Sequence, residues 1–150
     1  MILIFGGAFQ GKLDYARKHW NFNEDDIFYC DDSLAIDLSK KVIYGLEKFC
    51  FACVCEDADA KGVLKMYDEP LTDKIIIMDD VSQGVVPIDT DRRAWREDVG
   101  RTMLWLAKEA DEVHVLRSRS AHQIIPASRR HAGNEAMTLC GSIAQITQSA

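Results

Sequence analysis

The chain is 150 residues long, 47% hydrophobic and 28% charged, with a formal net charge of -6. This size and composition are typical of one globular domain with a buried core. An acidic chain is a poor ligand for nucleic acid, because that affinity comes mainly from Lys and Arg on phosphates. The positive charge is nevertheless clustered, in Arg92, Arg93, Arg96 and Arg101 and in Arg117, Arg119, Arg129 and Arg130. Such clusters suit a small polyphosphate better than a long duplex.

The first apolar run is too short for a signal peptide, and no apolar stretch is long enough to cross a bilayer. The cysteines number five, and an odd count argues against a disulfide framework and favours a reducing compartment. We therefore expect a cytoplasmic protein without a membrane span.

Four apolar runs predict strands, at residues 2–5, 27–30, 74–80 and 112–116. Helices are predicted at residues 12–20, from Ser39 to about residue 54, and after Asp89 or Thr90, either of which could cap the last helix. Its buried face would consist of Trp95, Val99, Met103, Leu106 and Ala107. Residues 63–67 add a possible helical turn.

The alternation of strands and helices predicts an α/β sandwich with a mostly parallel sheet. The composition changes after Pro126, where Ala, Ser, Gly and Gln become prominent. We assign residues 1–126 to a nucleotide-binding α/β domain and residues 127–150 to a weakly ordered tail, with a possible short helix near residues 137–146.

A glycine-rich segment follows the first strand and precedes the first helix. It satisfies the phosphate-loop pattern G-x-x-x-x-G-K with Gly6, Gly7, Ala8, Phe9, Gln10, Gly11 and Lys12, followed by Leu13. In such a loop the backbone N–H groups converge on an anion, and the lysine reaches the β- and γ-phosphates. The pattern predicts a P-loop NTPase-like three-layer sandwich that binds ATP or GTP. The alternative is a glycine-rich turn with a chance lysine.

Leu13 stands where a phosphate loop usually has a hydroxyl that binds Mg²⁺. The metal would then be held by phosphate, water and a carboxylate from elsewhere. Asp79 and Asp80 are the candidates, because ligands of open α/β sheets bind beyond the carboxyl ends of the strands. The alternative is that this acidic pair simply ends a strand.

Cysteines and histidines offer a second kind of chemistry. Cys50, Cys53 and Cys55 include a C-x-x-C spacing that suits zinc or redox chemistry, but Cys50 and Cys53 fall on an apolar helical stripe. We therefore favour core cysteines. Solvated or capping roles are expected for His19, His114, His122 and His131.

Several of these motifs together resemble the adenosylcobinamide kinase/adenosylcobinamide-phosphate guanylyltransferase family of cobalamin biosynthesis. That family opens with a strand, G-G-x-x-S-G-K-S and a helix, and here Gln10 and Leu13 replace the two serines. Its second block is N-E-V-G-x-G-x-V-P, then R-x-F-R-D-x-x-G-R and A-D-x-V. This chain has DDVSQGVVP at residues 79–87, RAWREDVGR at 93–101 and ADEV at 110–113.

The chain also departs from the family pattern. The family histidine that takes up GMP covalently has no counterpart, because no histidine lies between His19 and His114. The strand that carries a D-C-L-T-like motif has no convincing counterpart either. The resemblance covers about half of the chain and implies a divergent, shortened member.

The resemblance implies a nucleotide-dependent transferase, a kinase acting on the hydroxyl of cobinamide's aminopropanol arm. In that function Lys12 would bind the phosphates, Asp80 would lie near Mg²⁺, and Arg93 or Arg96 would neutralise transition-state charge. The arginines could instead form a solvated helix face or a subunit contact. A corrinoid ligand and assembly into homo-oligomers are further implications.

Two other hypotheses remain open. The first is a degenerate phosphate loop that binds ATP or GTP without turnover, since both loop serines and the family histidine are missing. The second is a small structural subunit, with Trp20 or Trp105 at an interface.

Overall fold

The computed structural model describes residues 1–67, 71–82 and 84–117 in full and residues 120–125 as backbone. These residues form six strands: β1 (Ile2–Gly6), β2 (Ile27–Tyr29), β3 (Val42–Tyr44), β4 (Ile75–Asp79), β5 (Glu112–Arg117) and β6 (Ser120–Ile125). They also form four α-helices: α1 (Lys12–His19), α2 (Leu46–Cys55), α3 (Ala60–Met66) and α4 (Thr90–Glu109). A single 3₁₀ turn, Glu24–Asp26, precedes β2.

All six strands belong to one sheet, in the order β2-β3-β4-β1-β5-β6. The strands from β1 to β5 are parallel, and β6 is antiparallel to β5 at the edge. The predicted α/β architecture with a mostly parallel sheet is confirmed.

Both faces of the sheet are covered, which explains why the central strands are apolar throughout. In β4, Ile76 and Met78 pack in the larger core beneath α2, α3 and α4. Ile75 and Ile77 point to the other face and pack in the smaller core beneath α1. The layers are therefore helix, sheet and helix.

The helix predicted from Ser39 is wrong in its first part. Val42–Tyr44 forms β3 between β2 and β4, and α2 begins only at Leu46. Gly45 separates the two elements with a φ of 79°, a left-handed conformation that glycine adopts most readily. The apolar steps looked continuous because a fully buried strand led directly into the apolar face of a helix.

The remaining helices and strands agree more closely with those predicted from the sequence. The four predicted strands are present within about two residues of the predicted ends, and Asp89 caps α4 by accepting from Arg92 N–H at 2.9 Å. The helical turn expected at residues 63–67 is part of α3. The sequence did not indicate β6. The predicted tail at residues 127–150 lies outside the described residues.

The connections that leave β1 and β4 go to opposite faces of the sheet. α1 follows β1 onto the face of the smaller core, whereas α4 follows β4 onto the face of the larger core. Because β1 and β4 are neighbours, their carboxyl ends form a topological switch point, where open α/β sheets bind ligands.

Candidate functional site

The loop between β1 and α1 needs glycine at two positions, for different reasons. A Cβ on Gly6 would lie 2.4 Å from the backbone oxygen of Leu116 on β5, so only glycine fits there. Gly11 has open space around it but a φ of 73°, so its constraint is the left-handed backbone conformation. Phe9 is also left-handed, with a φ of 58°, and its side chain is fully exposed.

The first turn of α1 presents unpaired backbone donors. Within the described part of the chain, none of the N–H groups from Gly11 to Asp14 donates to another protein group, and no side chain caps the helix. Such N–H groups, together with the helix dipole, favour an anion.

Lys12 is the first residue of α1, and its side chain reaches back to the end of β1. Its side chain is only 3% exposed, and its Nζ donates to the Gly7 carbonyl oxygen at 2.7 Å. Nζ also lies 2.5 Å from Oδ1 of Asp79, at the end of β4. The structure therefore brings together the predicted loop lysine and one predicted carboxylate at the switch point.

Glu47 is a residue of this site that the sequence analysis missed. It lies in the first turn of α2, is 7% exposed, and accepts a hydrogen bond from Asp79 N–H at 2.9 Å through Oε2. Burial raises the pKa of this carboxyl group, and the bond from Asp79 N–H opposes the rise. The sequence signal was Gly45 two residues earlier, which marks the start of a helix at the carboxyl edge of the sheet.

The Gln10 side chain folds back over its own loop. Its Oε1 accepts a hydrogen bond from Gly7 N–H at 3.0 Å, so this donor is already satisfied. Leu13, the next unusual loop residue, packs partly buried against the smaller core. The two positions that depart from the expected serines therefore serve the loop's own packing.

Asp80 lies beside the switch point but has a different role from Asp79. Its N–H donates to the Gly6 carbonyl oxygen at 2.8 Å, and its Oδ1 accepts from Ser82 N–H at 3.0 Å and from Ser82 Oγ at 2.5 Å. Asp80 thus shapes the loop after β4. Among the described residues, no three or more His, Cys, Asp or Glu side chains converge in a way that could hold a metal ion.

The predicted arginines lie on α4, and within the described residues neither forms a hydrogen bond or an ion pair with the loop between β1 and α1. Arg93 is exposed in the first turns of the helix. Arg96 donates to the Val85 carbonyl oxygen at 3.0 Å and also to the Ser82 carbonyl oxygen. It therefore ties the loop after β4 to α4.

The cysteines agree with the core interpretation. Cys50 and Cys53 are fully buried in the larger core, while Cys55 is exposed. Burial raises the pKa of Cys53 to about 11 and that of Cys50 further, so both remain thiols at neutral pH.

The solvated or capping role expected for His114 is wrong. The imidazole is 5% exposed, with Nδ1 3.0 Å from the Tyr15 hydroxyl and Nε2 3.0 Å from Glu112 Oε2. It forms part of the packing between β5 and α1.

The chain matches no protein-family model, and a search of curated proteins gives no match. Among the described residues, no helix is both long and apolar enough to span a membrane.

Proposed function

We propose that this chain is a P-loop NTPase-like protein that binds ATP or GTP through the loop Gly6 to Leu13. The observation that carries the proposal is the ion pair between Lys12 and Asp79 at the switch point between β1 and β4, because Lys12 also belongs to the first turn of α1, whose N–H groups are free. A buried ammonium, a helix N-terminus and an adjacent strand-end carboxylate together match the needs of a nucleotide polyphosphate.

The proposed reaction is transfer of the γ-phosphoryl group to a hydroxyl, as the resemblance to adenosylcobinamide kinase implies. Lys12 and the amides of α1 would neutralise phosphate charge, and this positioning supplies most of the catalysis in such transfers. Arg93 and Arg96 stay candidates for transition-state charge. Guanylyl transfer through a family-type histidine is not part of the proposal.

Mg²⁺ would supply further charge neutralisation. Asp79 is the carboxylate next to Lys12, whereas Asp80 is engaged with Ser82. Since Leu13 has no oxygen to offer, the residues present fit an ion held mainly by phosphate and water, with Asp79 or Asp80 adding a ligand.

Nucleotide binding without turnover is the second candidate. It is favoured by the Gln10 amide on Gly7 N–H, because a phosphate would have to displace this contact, and by Leu13 in place of a hydroxyl. Assembly as a homo-oligomer, a corrinoid ligand and a cytoplasmic location stay proposals.

The test is calorimetric titration with ATP, GTP and adenosylcobinamide, each with and without Mg²⁺, followed by a phosphorylation assay. The transferase proposal expects Mg²⁺-dependent phosphorylation of adenosylcobinamide that is lost in Lys12→Ala. Binding of nucleotide without consumption would favour the second candidate. No heat and no rise in melting temperature at millimolar nucleotide would refute both.

A further inference from the structure

Glu47 links three elements at the edge of the proposed phosphate site. Its carboxylate accepts from Asp79 N–H at the end of β4, and its backbone oxygen accepts from Trp95 Nε1 on α4 at 2.7 Å. We infer that Glu47 is a positioning residue of this site: it fixes Asp79, and through Asp79 it fixes the Lys12 ammonium. The inference rests on the proposed function and deepens it.

The end of β4 needs an acceptor that the sheet does not provide. Asp80 N–H faces β1 and donates to the Gly6 carbonyl oxygen. Asp79 N–H therefore faces the other side, towards β3, because successive N–H groups alternate along a strand. On that side β3 has already ended at Tyr44. The last backbone hydrogen bond to β4 runs from Gly45 N–H to the Ile77 carbonyl oxygen at 2.8 Å. Glu47 Oε2 takes the place of the missing strand residue.

This hydrogen bond matters for the phosphate site because Asp79 holds Lys12. A lysine side chain is flexible, and the Lys12 ammonium is kept in place by the Asp79 carboxylate and the Gly7 carbonyl oxygen. A change in the Asp79 backbone would move the ion pair relative to the loop amides. Glu47 thus affects bound phosphate indirectly, through Asp79 and Lys12.

The negative charge of Glu47 and its hydrogen bond to Asp79 N–H have opposite effects on nucleotide binding. This difference makes the inference testable. The negative charge of Glu47 disfavours an incoming polyphosphate, so its removal alone would strengthen nucleotide binding. Loss of the hydrogen bond to Asp79 would weaken it, because Lys12 and the loop would lose their fixed geometry.

The experiment compares Glu47→Gln with Glu47→Ala in titrations with Mg²⁺-ATP. Both changes remove the charge, but only Gln keeps an oxygen that can accept from Asp79 N–H. We expect Glu47→Gln to bind ATP as tightly as the wild type or more tightly, and Glu47→Ala to bind about tenfold more weakly. Equal effects of the two variants, in either direction or with no change, would overturn the inference.

Trp95→Phe is the matched control for general loosening of α2. It removes the N–H that donates to the Glu47 backbone oxygen but leaves the carboxylate untouched. We expect its ATP dissociation constant to stay within about twofold of the wild type, inside ordinary variation between variants. A loss as large as that of Glu47→Ala would attribute the effect to looser helix packing and contradict the positioning role.

A second measurement needs no nucleotide. In NMR spectra the Asp79 amide proton should lie downfield in the wild type and in Glu47→Gln, and should move upfield in Glu47→Ala. The same shift in all three proteins would overturn the inference even where ATP binds normally. If the wild type binds neither ATP nor GTP, the proposed function fails first and the inference fails with it.

Discussion

At the scale of single residues, the proposed phosphate loop combines residues that fit the G-x-x-x-x-G-K pattern with two residues that are unusual in such loops. Lys12 is buried and forms an ion pair with Asp79, the carboxylate at the end of the neighbouring strand β4. Gln10 and Leu13, by contrast, bond or pack within the protein itself. In the proposed site, phosphate binding and the coordination of Mg²⁺ would depend on different residues, so the two can be tested separately.

Introducing a hydroxyl at position 13 should strengthen the response of the proposed nucleotide site to Mg²⁺. We expect Mg²⁺ to increase the nucleotide affinity or turnover of Leu13→Ser several-fold more than that of Leu13→Ala, because only serine supplies an oxygen ligand. Titrations of both variants with and without Mg²⁺ provide the measurement.

Leu13→Ala is the matched control for packing. Leu13 is partly buried in the smaller core, so each variant should lose about 1–2 kcal/mol of unfolding free energy, less than for a fully buried leucine. An identical Mg²⁺ response of the two variants would refute a metal-organising role for this position.

At the scale of secondary-structure elements, Gly45 marks the point where β3 ends and α2 begins. Its φ of 79° turns the chain, so that Leu46 enters the core while Glu47 reaches the end of β4. A Cβ at this position would meet no atom closer than 3.7 Å, so the requirement for glycine is conformational rather than steric.

Gly45→Ala should destabilise the protein by about 1 kcal/mol, the cost of a left-handed conformation for a residue with a Cβ. Gly100→Ala is the matched comparison, since Gly100 lies within α4 and a Cβ there would meet nothing within 4 Å. Gly100→Ala should stabilise the protein by about 0.5–1 kcal/mol, because alanine has a higher helix propensity than glycine. Denaturant unfolding measures both; a stabilising Gly45→Ala would contradict the conformational argument.

At the scale of the whole molecule, the packing of α3 against α4 includes a buried carboxyl group, that of Asp98 on α4. Asp98 is 1% exposed and lies beside the Asp59 carboxyl group and the Ala60 backbone N–H. Burial raises its pKa, and the neighbouring Asp59 carboxylate raises it further, while Arg101, which donates to Oδ1 at 3.3 Å, lowers it. Asp59 also caps α3, so the two carboxyl groups meet where these helices pack.

This raised pKa sets the sign of a pH dependence. Between the unfolded pKa of about 3.9 and the higher folded pKa of Asp98, the native state binds more protons than the unfolded state. The free energy of unfolding contributed by this group therefore falls as the pH rises through that window. Glu47, whose pKa is also raised, adds a change of the same sign.

Asp98→Asn should make the stability less sensitive to pH, because the amide is neutral throughout and can donate to Asp59. We expect the variant to gain stability relative to the wild type as the pH rises from about 4 to neutrality. Denaturant unfolding at several pH values, with the exposed Glu97→Gln on the same helix as a control, provides the measurement. Parallel curves for wild type and Asp98→Asn would show that Asp98 does not titrate in this range.

The fold was largely predictable because its signals are local. Four strands, α1, and the capped start and buried face of α4 followed from apolar runs, periodicity and a capping aspartate. β3 was missed because it is only three residues long and adjoins a helix of similar composition. The position of His114 against Tyr15 was not predictable either, since it depends on how α1 packs on β5.

The sequence alone determined that a glycine-rich loop with Lys12 joins the first strand to the first helix, and that acidic residues end the strand predicted at residues 74–80. Only the tertiary structure decided that Asp79 pairs with Lys12, that Asp80 turns to Ser82, and that Glu47 completes the end of β4. The physical reason is that a loop's conformation depends on its own residues, whereas partners across the sheet depend on strand order and register, which no local pattern records.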